Sequence, residues 1–424
     1  MISSLLFVGT TCGFTAGTLL VPRIMRFLGR FYLSDANLAL VPIAPFRIAL
    51  SRKTSGGVGH SASQARYLVV IMASVCFPTN FIMMGSKTGF ATMFMGYVIV
   101  AFGRAVLTGI FTRNMFLSDM PSRPLGYAFG LWGLGAVASP LVFQATAAAG
   151  LPWTHFYFGS LVLAAFSFVF LGITFMPTAR EFAMDRKTAL NEAESRSAPP
   201  TPGCDPDSTS STASTGLQAA HPNQLRLVSS MPYQWAVSLF VLFYCGSETT
   251  TQGLIVQYLL AERSADRNTV GYVSAGFWAG VSASRLAWSY WISFTRRKYI
   301  IQGCLSRWPG VALGMQLFIW FIDSSIENAV STALIGVFFG PLFPACLELA
   351  NDLLPAEVNM ISMAIVYASS RMLTIAIFPF ITGVVTTKYS MRTWSYITVA
   401  QAAILLCTWS LFPTRQPLRR TIAA

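Results

Sequence analysis

The sequence predicts an all-α membrane protein of two helical bundles, with about 11 crossing helices divided five and six. Three observations carry this. The 424 residues are 54% hydrophobic and only 11% charged, whereas roughly a quarter of residues are charged in a soluble domain. Apolar runs of roughly 20 residues, enough to cross the hydrocarbon of a bilayer, recur along the chain. A single polar stretch near the middle divides them. In lipid every backbone N–H and C=O needs an internal partner, so such runs are helices.

The runs fall at about 3–21, 67–86, 89–112, 125–149, 153–176, 232–260, 269–294, 308–322, 329–350, 358–386 and 393–413. Pro78, Pro140 and Pro379 lie inside them and predict kinks rather than stops. The first run is read as a crossing helix and not a signal peptide, because no basic segment precedes it and it continues into Arg23. Residues 31–50 are fairly apolar, but Asp35, Pro42, Pro45 and Arg47 interrupt them, so 31–66 is read as an insertion. This gives an N-terminal bundle over 1–176, a linker over 177–231, a C-terminal bundle over 232–413 and a tail over 414–424. From Ser195 to Thr215 the linker is almost all Ser, Thr, Pro, Gly, Ala and Asp. Such a composition buries too little to offset ordering entropy and predicts disorder.

A formal charge of +13 would suggest nucleic acid in a soluble chain. Here its distribution reports orientation. Of the 29 Lys and Arg, 21 fall in loops on the linker side, five on the opposite side and three within spans. Basic residues collect in cytoplasmic loops, which places the linker and the C-terminal tail in the cytoplasm. No nucleic-acid partner is needed. The seven cysteines show no paired or metal-type spacing and are read as small buried hydrophobes. No Walker, HExxH or GxSxG motif occurs, so no cofactor, metal, ATP-driven step or enzymatic reaction is expected.

The halves echo each other. Gly13-Phe14-Thr15-Ala16-Gly17 matches Gly276-Phe277-Trp278-Ala279-Gly280, and each precedes a basic loop, Arg26 and Arg30 against Arg296 and Arg297. Phe102-Gly103 matches Phe339-Gly340, and Pro140 matches Pro379, in the same order along the chain. This mapping pairs the first visible helix with the second helix of the C-terminal bundle, so a counterpart of the first helix of that bundle is expected to be missing.

At these residues the chain resembles the major facilitator superfamily. The loop ending Arg26-Phe27-Leu28-Gly29-Arg30, the segment Gly246-Ser247-Glu248 through Gly280 to Arg285, the run Phe339-Gly340-Pro341-Leu342-Phe343-Pro344 and Phe378-Pro379-Phe380-Ile381-Thr382-Gly383 are similar to a fungal branch related to fucose-type sugar permeases. The resemblance implies two six-helix bundles that rock about a shared site, a monomer in the bilayer, and secondary transport of a small solute, with proton coupling as an option. Against that pattern the first helix is expected to be missing.

A charge at mid-membrane costs roughly 2.5 to 3.5 kcal/mol on insertion scales unless a partner or a watery cavity receives it. Arg104, Glu248, Arg285 and Arg371 lie within spans. Glu248 has Tyr244 at i−4, Thr251 at i+3 and Gln252 at i+4, a polar stripe on one helical face. It is read either as a proton-exchanging group or as half of a structural pair with Arg285 or Arg371. Arg285 is read as snorkelling toward the cytoplasmic face, or as a cavity residue. Arg104 and Arg371 are the deeper substrate candidates. Three arginines against one well-buried glutamate suit an anionic solute, whereas Trp132, Trp278 and the Gln252 amide suit a sugar-like one. Gly126, Gly130, Gly133 and Gly135 are read as helix-packing positions. Arg26, Gly29, Arg30, Arg296 and Arg297 are the candidate cytoplasmic gating loops. The function expected is alternating-access transport of a sugar-like or anionic solute, the alternative being a non-transporting sensor or inactive transporter.

Overall fold

The computed structural model describes residues 2–33, 48, 58–116, 122–197, 230–291, 297–353, 366 and 374–410. The N-terminal bundle contains α1 (Ile2–Leu28), α2 (Ala62–Gly85), α3 (Phe90–Phe116), α4 (Ser122–Ala148) and α5 (Trp153–Thr174). A short antiparallel ribbon, β1 (Arg30–Tyr32) with β2 (Val58–His60), joins α1 to α2. Helix α6 (Ala179–Ser197) follows. The C-terminal bundle contains α7 (Pro232–Glu262), α8 (Gly271–Trp291), α9 (Arg297–Phe321), α10 (Ser325–Phe339), α11 (Leu342–Leu353), α12 (Thr374–Lys388) and α13 (Thr393–Ser410).

Several boundaries differ from the sequence expectation. The basic residues Arg23 and Arg26 belong to the last turns of α1, which runs through Pro22. The span expected over 308–322 begins earlier, at Arg297. The span expected over 329–350 is broken between α10 and α11 at Gly340-Pro341. Among the described residues six helical stretches are long and apolar enough to cross a membrane by length and composition. The outer face of α5 is the most apolar surface, with Val162, Leu163, Phe166 and Ile173 exposed as lipid-facing residues are. Of the cysteines, Cys245 and Cys346 are buried, but Cys12 and Cys407 are exposed. Burial is therefore wrong for those two, because a thiol is apolar enough to face lipid as readily as a core.

The linker expectation also needs correction. Over 179–197 the chain is helical and docked, with Phe182 and Ala189 buried. Thr178-Ala179-Arg180-Glu181 is a capping box: the Thr178 N–H donates to Glu181 Oε2 at 2.9 Å, and the Glu181 N–H donates to Thr178 Oγ1 at 3.3 Å. The Thr178 backbone N–H, with its hydroxyl and Arg66 adding to it, holds the Glu181 carboxyl below the usual value. Residues 198–229 of the expected linker lie outside the described residues.

Packing follows the internal repeat. Helix α1 lies along α3, and α8 lies along α10. Across the halves α1 meets α12, and α4 meets α8. Under the mapping α1 to α8, α3 to α10 and α4 to α12, each of these contacts goes into another, as a pseudo-twofold relation requires. The matched glycines explain the close approach. A Cβ at Gly13 would fall on the Val98 carbonyl oxygen of α3, one at Gly17 would lie 2.8 Å from the Phe102 oxygen, and one at Gly280 would meet the Ala333 carbonyl of α10. Small residues let helix backbones meet where lipid offers no hydrophobic drive for association. Gly130 and Gly133 do the same between the halves, against Leu286 and Ser282 of α8, whereas Gly135 faces open space.

Candidate functional site: the Glu248–Arg285 pair

The site grows from a break in a helix. In a continuous helix the carbonyl of residue 340 would accept from the N–H of residue 344. Residue 344 is proline and has no N–H to give. The Gly340 carbonyl is thus left for another donor, and Arg285 Nε of α8 donates to it at 3.0 Å. The same guanidinium uses Nη2 to reach Glu248 Oε1 of α7 at 3.3 Å, and it donates to the Tyr244 hydroxyl at 3.5 Å. Glu248 and Arg285 are 8% and 4% exposed, so each charge depends on the other, away from water.

Aromatic rings enclose the pair from both halves. Phe339 and Phe343 flank the Tyr244 ring at 5.7 and 6.5 Å between centroids. From the N-terminal half, α4 lays Phe129 and Trp132 against the guanidinium carbon, at 5.8 and 5.6 Å from their ring centres. Cation–π contacts of this length are worth about 0.5 to 2 kcal/mol, more where water is excluded. Trp132 meets Trp278 of α8 edge-on at 5.2 Å, and Phe129 meets Phe343 edge-on at 5.4 Å. Further along the same helix pair, Gln144 Nε2 donates across the halves to the Arg267 carbonyl at 3.0 Å. The cluster therefore sits where the two bundles face each other.

The structure brings together Glu248, Tyr244, Arg285, Trp132 and Trp278. It removes the snorkelling reading of Arg285, whose guanidinium turns inward to the freed Gly340 carbonyl and Glu248. The polar stripe on α7 divides. Thr251 faces α9, where its hydroxyl accepts from Gln316 Nε2 at 2.9 Å, a helix-to-helix bond. Gln252 is half-buried on the next position. Arg104, on α3, is exposed. Arg371 and Arg296 lie outside the described residues. Arg297 opens α9. Arg26 is exposed and donates to the Pro22 carbonyl at 3.2 Å, Gly29 is buried against Ser61, and Arg30 pairs with His60 in the ribbon. Phe129, Phe343, the Gly340 carbonyl and Gln144 were not expected. The Gly340/Pro344 spacing is the one local signal that points to any of them.

Two helical bundles in lipid, meeting across a buried ion pair capped by rings from both sides, define a multi-pass membrane protein of the two-bundle type. Residues 237–424 match the model of the Major Facilitator Superfamily. The chain is 22% identical to Bypass of stop codon protein 6 of Saccharomyces cerevisiae over 422 residues, covering 94% of this chain and 79% of that protein. Its fold is similar to the Escherichia coli fucose:proton symporter FucP, with a TM-score of 0.54, 12% identity and 98% of each chain covered. It is also similar to a mutant of the nucleoside transporter NupG, with a TM-score of 0.59, 12% identity and 96% and 93% covered. The match to the family model thus covers the C-terminal bundle, and the likeness in fold extends over nearly the whole chain.

Proposed function

We propose that this protein is a secondary active transporter in which the two bundles rock about the Glu248–Arg285 cluster, exposing it to one side of the membrane at a time. The observation that carries the reading is the position of the pair: held by α7, α8 and the Gly340 carbonyl of one half, and covered by Phe129 and Trp132 of the other. Any rocking that separates α4 from α8 uncovers it. A buried carboxyl gains or loses its proton according to whether a cation lies beside it and water reaches it, so Glu248 is the residue that exchanges a proton as Arg285 is uncovered. The linker and tail face the cytoplasm, a reading supported by the distribution of basic residues.

The pair also bears on the solute. With Glu248 neutralising Arg285, the cluster carries no net positive charge to favour an anion. Trp132 and Trp278 offer apolar faces near Arg285 and the Tyr244 hydroxyl, an arrangement that suits a neutral polyhydroxylated solute with one apolar face. The fucose and nucleoside specificities of the two solved relatives are of this chemistry. The test is flux into proteoliposomes under an imposed proton gradient, with neutral sugars, nucleosides and organic anions offered singly to native protein and Glu248→Gln. The expected result is accumulation of a neutral solute by native protein and its loss in Glu248→Gln, with exchange retained. Equal accumulation by both would remove Glu248 from coupling, and binding without flux would make the protein a sensor.

A further inference from the structure

Helix α6 is joined to the end of α1 by a continuous chain of bonds. On α6, Asp185 Oδ2 accepts from Ser61 Oγ at 2.7 Å, from Ser63 Oγ at 2.6 Å and from the Ser63 backbone N–H at 3.0 Å. Ser61 is the N-cap of α2 and also accepts from the Gln64 N–H at 3.1 Å. The negative charge of Asp185 thus sits at the positive end of α2. Residues 61 and 64 in turn hold the end of α1. Gln64 Nε2 donates to the Leu28 carbonyl at 2.9 Å, and the Ser61 N–H donates to the Gly29 carbonyl at 2.8 Å. Arg66 pairs with Glu181 of α6 at 3.1 Å. Below these bonds Ala189 packs on Phe31 and Leu33, and a Cβ at Gly59 would lie 3.0 Å from that of Ala189, so α6 is seated directly on the ribbon.

We propose that α6 is a strap: Asp185 fixes the N-terminus of α2 and, through it, the last turn of α1, so that docking of α6 sets the position of α1 against the C-terminal bundle. Helix α1 is one of the two main contacts between the halves, through α12, which makes its end a point where a restraint outside the bundle acts on the relation of the bundles. The strap follows α5 directly and precedes the polar stretch 198–229, so anything that pulls on or modifies that stretch acts first on α6. The inference rests on this bond network and not on the identity of any solute.

Two variants release the strap by different routes: Asp185→Ala removes the acceptor of all three bonds, and Gly59→Leu fills the seat beneath Ala189. Amide hydrogen exchange reads docking. The distance between spin labels at Phe27→Cys and Trp291→Cys, with native cysteines replaced by alanine, reads the relation of the halves; both positions are exposed, at 43% and 62%. The expected result in both variants is loss of protection over 179–197 and in the last turn of α1, with a broadened label distance. Loss of protection confined to α6, with α1 and the distance distribution unchanged, would overturn the proposal. So would an α6 that stays protected in Asp185→Ala.

Discussion

Arg285→Ala is expected to lower the stability of the protein by about 3 to 5 kcal/mol, the cost of leaving a buried charge without its partner. Glu248 is 8% exposed and is ion-paired with Arg285, so removal of the guanidinium strands a carboxylate among Tyr244, Phe339 and Phe343. Glu248→Gln is expected to do less harm. Its amide still meets the guanidinium, which also keeps the Gly340 carbonyl, the Tyr244 hydroxyl and the faces of Phe129 and Trp132. The double variant Glu248→Met with Arg285→Met should recover most of the loss, because replacing both members of a buried pair by apolar groups of similar volume is often neutral. Melting in mild detergent, followed by size exclusion, gives the order: native, double variant and Glu248→Gln above Arg285→Ala. A double variant as unstable as Arg285→Ala would show that the pair is held for its shape and not for mutual neutralisation. Flux separates the roles again, since the stable double variant is expected to carry no proton-coupled transport.

The second large effect is expected at the glycines where helix backbones touch. A Cβ at Gly336 of α10 would fall on the Phe277 carbonyl oxygen of α8, and one at Gly13 of α1 on the Val98 carbonyl of α3. These are backbone atoms, so no side-chain rotation relieves the overlap and the helices must part. Overpacking of this kind costs about 1 to 3 kcal/mol and sometimes more. Gly336→Ala and Gly13→Ala are therefore expected to melt lower than native. Gly135 and Gly314 have nothing within 4 Å of an added Cβ, and alanine there should be neutral or slightly stabilising, since it is the better helix former. Equal effects at all four positions would mean that the paired Gly-Phe-x-Ala-Gly segments do not set the helix spacing.

The spans were legible because lipid leaves the backbone few options, and the bundle plan was legible because the repeat marks the same helix in each half. A Glu248–Arg285 pair was among the readings open from the sequence, but what turns Arg285 inward was not legible. From its position two turns short of a basic loop, snorkelling looked sufficient; what decides its direction is a carbonyl 55 residues away, freed by a proline four positions further on. Contacts of that range leave little local trace. Phe129 and Gln144 act across the halves and carry no pattern of their own. Helix α6 is a different case. Its capping box Thr178 to Glu181 and the Phe182, Asp185 and Ala189 stripe are written in the sequence, but the disorder read from the composition of Ser195 to Thr215 was extended over them. The anionic reading drew on counting arginines, and it weakens because Arg285 is spent on Glu248.

For the cluster to be reached, the halves must separate along α4 and α8. An added Cβ at Gly271 lies 3.2 Å from the Gln144 Cβ, close to the spacing of about 3.5 to 4.5 Å found in disulfides. Gln144→Cys with Gly271→Cys, in a background whose native cysteines are replaced by alanine, thus places a reducible bond between the bundles. The measurement is flux of the transported solute in proteoliposomes before and after reductant. The account predicts that the oxidised protein carries none and that reduction restores it; an oxidised protein that carries solute at the reduced rate would contradict it.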